Sequence, residues 1–170
     1  MLKSQVLQTD IFDKNIQVAK LQQMSKNTMV EHLGIEFTEL GQNYITATMP
    51  VDHRTHQPMG LLHGGASLVL AETLGSVASS LLVDLNKFFC VGLEINANHI
   101  KSARNGVVKG VARPIHLGKK THVWDIRISN QNGDLLCISR LTVAIIEKNI
   151  NKPKAQFAVL SSHLISTGIL

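Results

Sequence analysis

Hydrophobic and polar positions change their spacing along the chain, and the changes predict its elements. Apolar side chains at weak helical spacing predict a helix within 11–30. Two short extended runs, 35–40 and 44–49, are separated by a Gly-Gln-Asn turn and predict a hairpin. The stretch 66–83 is almost entirely apolar or small, which predicts a long helix.

From residue 88 onward the hydrophobic pattern alternates with period two, as in half-buried strands. Asn105-Gly106 and Asn132-Gly133 are hairpin turn signals, and a third reversal lies near Gly118. In the third run, one face is predicted to pack against the core and the other to face solvent. The first face carries His122, Trp124, Ile126 and Ile128, and the second carries Val123, Asp125 and Arg127. The four predicted strands are 88–101, 106–115, 121–130 and 135–147.

These elements predict an α+β fold of about six antiparallel strands with one long helix inserted after the second strand. A sheet that curls around this helix would bury it on most sides, which explains its lack of a polar stripe. The chain of 170 residues suits one domain. We predict a helical extension over 1–31, the main domain over 32–147, and a C-terminal extension over 148–170 of unknown role.

The composition indicates which classes of partner the protein can bind. The net charge of +5 favours an anionic partner, but aromatic residues are only 4% of the chain, which argues against nucleic acid. A phosphorylated small molecule explains the charge more economically.

The run 60–83 has one formal charge but also four glycines and four serines, so a buried helix is favoured over a membrane span. Without a signal-peptide pattern or a cysteine framework, we expect a cytoplasmic protein.

The stretch HGGASLVLAE, residues 63–72, contains the candidate chemistry. Gly64 and Gly65 precede the long helix, where free backbone N–H groups can stabilise an oxyanion. Glu72 is the one formally charged residue between Arg54 and Asp84, and Ser76 shares its helix face, so the two can hold a water for general-base catalysis. Glu72 could also attack an acyl carbon directly.

The distance between these groups predicts a dimer. Two helical turns separate Gly65 from Glu72, about 11 Å, which is too far for both to act on one carbonyl. The two half-sites would then come from different subunits with antiparallel helices. A purely structural Glu72, bonded to backbone or to an arginine across an interface, is the alternative.

His53 and His56 lack further ligands at metal spacing, so no metal is expected.

Three segments together resemble the hotdog-fold acyl-CoA thioesterases, on the branch that contains phenylacetic-acid-pathway and 1,4-dihydroxy-2-naphthoyl-CoA thioesterases. They are QPMGLLHGGASLVLAETLGS at 57–76, VGLEINANHIKSA at 91–103 and RPIHLGKKTHVWDIRI at 113–128. The resemblance covers about 32–146. It implies a central helix wrapped by the sheet, a homodimer as minimal active unit, usually assembled into tetramers, and hydrolysis of an aryl or medium-chain acyl-CoA.

The resemblance also implies residue roles. Glu72 matches the catalytic carboxylate, Ser76 the water-positioning hydroxyl, and His63 a residue that lines the site. Gln57 and the amide of Gly64 or Gly65 match the groups that polarise the thioester carbonyl. CoA is part of the substrate, so no separate cofactor is expected. The residues predicted to contact its phosphates are His99, Lys101, Lys119 and Lys120.

Other functions remain open on the same fold. A hotdog dehydratase would act on acyl-carrier-protein substrates. A non-catalytic acyl-CoA-binding protein would bind without turnover, and a structural or interaction protein would not bind CoA at all.

Overall fold

The computed structural model describes residues 10–13 and 16–148. Six antiparallel strands form one sheet, and a long helix packs against it. The predicted α+β architecture is confirmed. In chain order the elements are α1 Val18–Met24, α2 Met29–His32, β1 Glu36–Leu40, β2 Ile45–Pro50, α3 Gly64–Ser80, β3 Phe88–His99, β4 Val107–Leu117, β5 Thr121–Asn130 and β6 Leu135–Glu147. The strands lie in the sheet in the order β1-β2-β4-β5-β6-β3.

The N-terminal region differs from the single helix that was predicted. It contains two short helices, and the Thr28 hydroxyl caps the second by accepting a hydrogen bond from the Val30 amide. The Gln22 side chain ties α1 to the start of β1, because its amide nitrogen donates to the Ile35 carbonyl and its oxygen accepts from the Phe37 amide. The predicted C-terminal extension lies outside the described residues, apart from Lys148.

Helix α3 begins two residues earlier and ends three residues earlier than predicted. It buries a single stripe against the sheet, with residues in pairs at i, i+1, i+4 and i+5. At its end, the buried Trp124 indole donates a hydrogen bond to the Ser79 hydroxyl over 2.8 Å. The buried residues of the helix are Ala66, Ser67, Leu70, Ala71, Leu74, Gly75, Ala78 and Ser79.

The expectation that the sheet buries most of α3 holds in the single chain, because the helix contacts β2, β3, β4, β5 and β6, and every residue of Gly64–Ser80 except Glu72 is buried or half-buried. Glu72 is exposed on the side opposite the buried stripe. We call this opposite side the outward stripe of α3. Its members are mostly apolar or small, which explains why the sequence shows no polar face: Leu68, Val69, Glu72, Thr73, Ser76, Val77 and Ser80.

Strand β3 forms an edge of the sheet and is twelve residues long. It pairs with β6 on one side only. Its middle carries exposed large apolar side chains, with Leu93 at 61% and Phe89 and Val91 both at 41% exposure. No helix among the described residues is long and apolar enough to cross a membrane.

Candidate functional site

The start of α3 is fixed by the loop that precedes it. Thr55 is buried there, and its hydroxyl donates to the Pro50 carbonyl over 2.9 Å. The His63 amide donates to the Thr55 carbonyl, and the Leu62 amide donates to the Ala103 carbonyl, both over 2.8 Å. The backbone entering α3 is therefore held to the loop and to the segment after β3.

His63 is the N-cap of α3. Its Nδ1 accepts a hydrogen bond from the Gly65 amide over 2.8 Å, which satisfies one of the free N–H groups at the helix start. None of the described residues accepts a hydrogen bond from the Gly64 amide. Of the two glycines that were predicted to polarise a carbonyl, Gly64 therefore has the available donor.

The His99 ring lies against the Gly64 backbone. A Cβ atom built on Gly64 would lie 2.7 Å from the His99 Nε2, closer than side-chain carbons approach one another. Glycine at this position thus allows a side chain from the end of β3 to reach the helix start. The contact joins two of the predicted site residues.

A cleft of about 360 Å³ opens at this helix start and brings together four predicted site residues: Gln57, Gly64, His99 and Lys101. The Gln57 side-chain oxygen accepts a hydrogen bond from the Met59 amide within a tight turn that the Gly60 amide closes on the Gln57 carbonyl. With its oxygen held, Gln57 can offer its NH₂ group to an acceptor. The cleft therefore supplies N–H donors of the kind that polarise a carbonyl.

Lys101 at the same cleft forms a salt bridge with Asp134 over 2.9 Å. Hydrogen bonds from Asn130 and Lys101, and the positive charge of Lys101, hold the pKa of the Asp134 carboxyl below its usual value. Both side chains are substantially exposed, so the pair contributes little to stability. Its effect is to hold the lysine at the cleft mouth.

Glu72 and Ser76 lie together on the outward stripe, one turn apart. The Glu72 carboxylate reaches over Gly92 of β3, where an added Cβ would lie 2.9 Å from Oε1. No described residue donates a hydrogen bond to this carboxylate. It is therefore an accessible acceptor rather than part of an ion pair within the chain, and an arginine across an interface stays the form of the structural alternative that one chain leaves untested.

The single chain does not bring Glu72 into the cleft. The cleft lies at the first residue of α3, and Glu72 lies eight residues further on, about 12 Å along the axis. The two halves predicted from the sequence are thus both present and separate in one chain.

Lys119 and Lys120 lie away from His99 and Lys101. They line a second cavity of about 830 Å³ beyond the C-terminal end of α3, which we call the distal cavity. His122 lines it too, is only 5% exposed, and has a buried Nδ1 with no partner among the described residues. Burial lowers the pKa of His122, and the nearby His116 lowers it further by a smaller amount. A hydrogen bond with the Gly118 backbone raises the pKa and offsets part of this effect.

No group of His, Cys, Asp or Glu side chains suited to a metal ion occurs in the described part of the chain. His53 is largely exposed, and the His56 Nε2 is 2.9 Å from the Arg104 carbonyl oxygen. Neither histidine is arranged with further ligands.

Sequence reasoning missed two residues that shape the site. Gly92 makes room for the Glu72 carboxylate, and a glycine inside an apolar strand is a signal of such close approach. Asp134 holds Lys101, but it lies 33 residues away beside a hairpin turn, where an acidic residue carries no distinct signal.

Comparisons with known proteins show which family the chain resembles. The thioesterase superfamily model matches residues 59–137. The 1,4-dihydroxy-2-naphthoyl-CoA hydrolase of Escherichia coli is 52% identical over 136 residues, which are 80% of this chain and 99% of that protein. The proofreading thioesterase EntH of Cronobacter sakazakii is 48% identical over 80% of this chain and 98% of its own length. A crystal structure of a mutant thioesterase from Pseudomonas aeruginosa superposes with a TM-score of 0.79 at 51% identity, covering 81% of this chain and 99% of that one.

Proposed function

Because the chain belongs to the thioesterase superfamily and is therefore a thioester hydrolase, we propose that it hydrolyses an aryl or medium-chain acyl-CoA to the free acid and CoA. The observation that carries the proposal is the cleft at the start of α3, where N–H donors from Gln57 and Gly64 lie beside His99 and Lys101. Such donors suit a thioester carbonyl, and the charged Lys101 with the ring of His99 suits the phosphates of CoA. The name of the Escherichia coli relative recommends a 1,4-dihydroxy-2-naphthoyl-CoA-like substrate for testing.

The chemistry needs a water, a base and donors for the carbonyl oxygen. In the general-base route, Glu72 takes a proton from a water held with the help of Ser76, and the water oxygen attacks the thioester carbon. Gln57 and the Gly64 amide stabilise the oxyanion that forms. The carbon–sulfur bond then breaks, and the CoA thiolate leaves with the proton that Glu72 had taken.

In the nucleophilic route, Glu72 attacks the thioester carbon itself, releases CoA and forms an anhydride that water then hydrolyses. Single turnover in ¹⁸O-labelled water separates the routes. The general-base route places the label only in the product acid, whereas attack of water on the Glu72 carbonyl of an anhydride leaves it in the protein. Mass spectrometry of the peptide that contains Glu72 detects that difference.

We propose that two copies of the chain complete each site. Strand β3 has a free edge with exposed apolar side chains, and the outward stripe of α3 beside it combines half-buried small or apolar residues with the exposed Glu72. A free edge of this kind favours pairing with a second strand. Antiparallel pairing of β3 with a second β3 would bring Glu72 of one copy toward the cleft of the other. Dimer-of-dimers assembly into a tetramer, and contact of Lys119 and Lys120 with CoA, remain predictions of the resemblance.

Glu72→Gln tests the proposed base. Release of free thiol from a panel of acyl-CoAs should fall at least about 10²-fold, because general-base catalysis contributes on that scale. Glu94→Gln is the matched control, since Glu94 is an exposed carboxylate of β3 whose nearest hydrogen-bond partner is Asn96. Parent protein that releases no thiol from any acyl-CoA would refute the function, and a fully active Glu72→Gln would refute the role of Glu72.

A mixing experiment tests the shared site. Glu72→Ala and Gln57→Ala are each expected to be nearly inactive. After the two are unfolded and refolded together, about a quarter of the parent activity should return, because half of the random dimers are mixed and each mixed dimer contains one intact site. No recovery from the mixture, with mixed dimers verified by a mass tag on one variant, would contradict the shared site.

A further inference from the structure

We propose that Ser67 binds the amide group of the pantetheine arm that lies nearest the thioester, and thereby favours thioesters that carry this amide over thioesters that lack it. The inference rests on the proposed acyl-CoA hydrolysis and concerns the thiol part of the same substrate. It is carried by a buried serine hydroxyl that opens into the cleft at the start of α3 and has no partner within the described chain.

Ser67 belongs to the buried stripe of α3 and also lines the cleft. Only 3% of its surface is exposed. No described residue forms a hydrogen bond with its hydroxyl. Among the described residues that are not themselves exposed, the one side-chain nitrogen or oxygen that is both fully buried and unpartnered is the His122 Nδ1. The unpartnered Ser67 Oγ therefore retains contact with solvent, and it is an open hydrogen-bonding group in the wall of the cleft.

The hydroxyl of Ser67 supports no group of the helix. A serine in a helix commonly donates to the carbonyl four residues earlier, which here is the carbonyl of His63. That carbonyl already accepts hydrogen bonds from the Ala66 and Ser67 amides, over 3.0 and 3.3 Å. The Gly65 amide is capped by the His63 ring over 2.8 Å. Because a buried hydroxyl without a partner is costly, a ligand in the cleft is the partner that would satisfy it.

The spacing between Gly64 and Ser67 matches the chemistry of a CoA thioester. Residues three apart on a helix lie on one face, about 5–6 Å from each other. In a CoA thioester, the sulfur and two methylene carbons separate the carbonyl carbon from the first amide nitrogen, a span of about 5 Å at about 1.2 Å per bond. A substrate whose carbonyl accepts a hydrogen bond from the Gly64 amide would therefore present its first amide to Ser67.

The rest of the cleft suits a pantetheine arm that continues past Ser67. A hydroxyl both donates and accepts, so Ser67 can accept the amide N–H or donate to the amide carbonyl. Lys101, held by Asp134, lies at the same cleft and suits the phosphates that follow the arm. Apolar walls of the cleft suit the hydrocarbon groups of the arm. The side chains that form these walls are Leu61, Leu62, Ala103 and Leu136.

The test compares thioesters that share one acyl group and differ in the thiol. The acyl group is the one that the parent hydrolyses fastest as its CoA thioester. The N-acetylcysteamine thioester carries the first amide of CoA, whereas the pentanethiol thioester has the same length without it. The ratio of their kcat/KM values, amide over pentyl, should fall about three- to tenfold in Ser67→Ala, as expected for the loss of one neutral hydrogen bond. For the acyl-CoA itself, kcat/KM should fall by about the same factor.

Ser67→Cys separates the hydroxyl from its volume. A thiol fills the site but is a weak hydrogen-bonding group, so this variant should lower the same ratio as Ser67→Ala does. Ser25→Ala is the matched control, because Ser25 is a buried serine whose hydroxyl donates to the Leu21 carbonyl over 3.0 Å. It should lower the free energy of unfolding in urea and leave the ratio unchanged.

Two results would overturn the inference. One is an unchanged kcat/KM for the acyl-CoA in both Ser67 variants. The other is an equal loss of kcat/KM on the amide and pentyl thioesters, because Ser67 would then act on the fold or on the thioester group and not on the amide. Failure of the proposed function looks different, because then the parent hydrolyses no acyl-CoA at all.

Discussion

The contact between Glu72 and Gly92 gives a prediction in which activity and stability separate. In Gly92→Ala, the new methyl carbon would start 2.9 Å from the Glu72 Oε1. Non-bonded carbon contacts are favourable at about 3.5–4.0 Å, so the carboxylate must move by about 0.5–1 Å. The obstacle is the end of a flexible, exposed side chain, and it can move without disturbing the backbone.

The fold should therefore tolerate the change. Alanine in place of a strand glycine reduces the entropy of the unfolded chain, worth about 0.5–1 kcal/mol, which offsets any strain from the displaced carboxylate. The free energy of unfolding in urea should stay within about 1 kcal/mol of the parent.

Activity should fall much more. A misplacement of about 1 Å in a catalytic group costs up to about 10²-fold, so kcat/KM for acyl-CoA hydrolysis is expected to drop 10- to 100-fold. That corresponds to about 1.4–2.7 kcal/mol of transition-state stabilisation. The assay is release of free thiol under kcat/KM conditions.

A double-mutant cycle supplies the control. If the loss acts through the carboxylate, Gly92→Ala should have almost no further effect in a Glu72→Ala background. Equal losses in both backgrounds would show that Gly92 acts through the strand and not through Glu72. Unchanged kcat/KM in Gly92→Ala would refute the placement of Glu72 as the catalytic group.

Three further predictions concern stability and assembly. Ser79→Ala leaves the buried Trp124 indole N–H without its acceptor and should lower the free energy of unfolding in urea by about 1–3 kcal/mol. The lowered pKa of His122 means that the unfolded chain takes up this proton at higher pH than the folded one, so the free energy of unfolding should fall as pH drops below about 6.5. His122→Phe should flatten that slope in unfolding curves measured from pH 7.5 to 5; an unaltered slope would assign it to other groups. Leu93→Lys places a charge on the exposed β3 edge and should yield a monomer by light scattering with little hydrolytic activity; an active monomer would contradict the shared site.

The strands were predictable from the sequence because their signals are local. Thr121–Asn130 and Leu135–Glu147 occur at the predicted positions, since the Asn132-Gly133 turn separates the two strands and the alternation within Thr121–Asn130 marks the first of them. His122 and Trp124 face the core as the alternation indicated. The N-terminal helices were less predictable, because α1 and α2 are too short for a clear period.

The environment of Glu72 was predicted less well because it depends on contacts that are distant in sequence. The small and apolar residues around Glu72 indicated a buried helix, and most of α3 is buried or half-buried, but Glu72 itself is exposed in the single chain. The Gly64 and Gly65 amides are equivalent in the sequence, and only the His63 cap distinguishes them. His99 and Lys101 line one cavity and Lys119 and Lys120 another because of the length of α3 and the strand order, neither of which motif spacing reveals.

The pairing of β3 with β6 has a consequence for how the protein is made. During synthesis β3 emerges about 36 residues before the start of β6, its sole partner within the described sheet, and at about 5–20 residues per second this leaves it unpaired for about 2–7 s. Its apolar middle is exposed for that interval, which makes the growing chain vulnerable to aggregation. The strand that lies under the Glu72 carboxylate is therefore paired late, and a chain that stops before Leu135 would leave it without its neighbour.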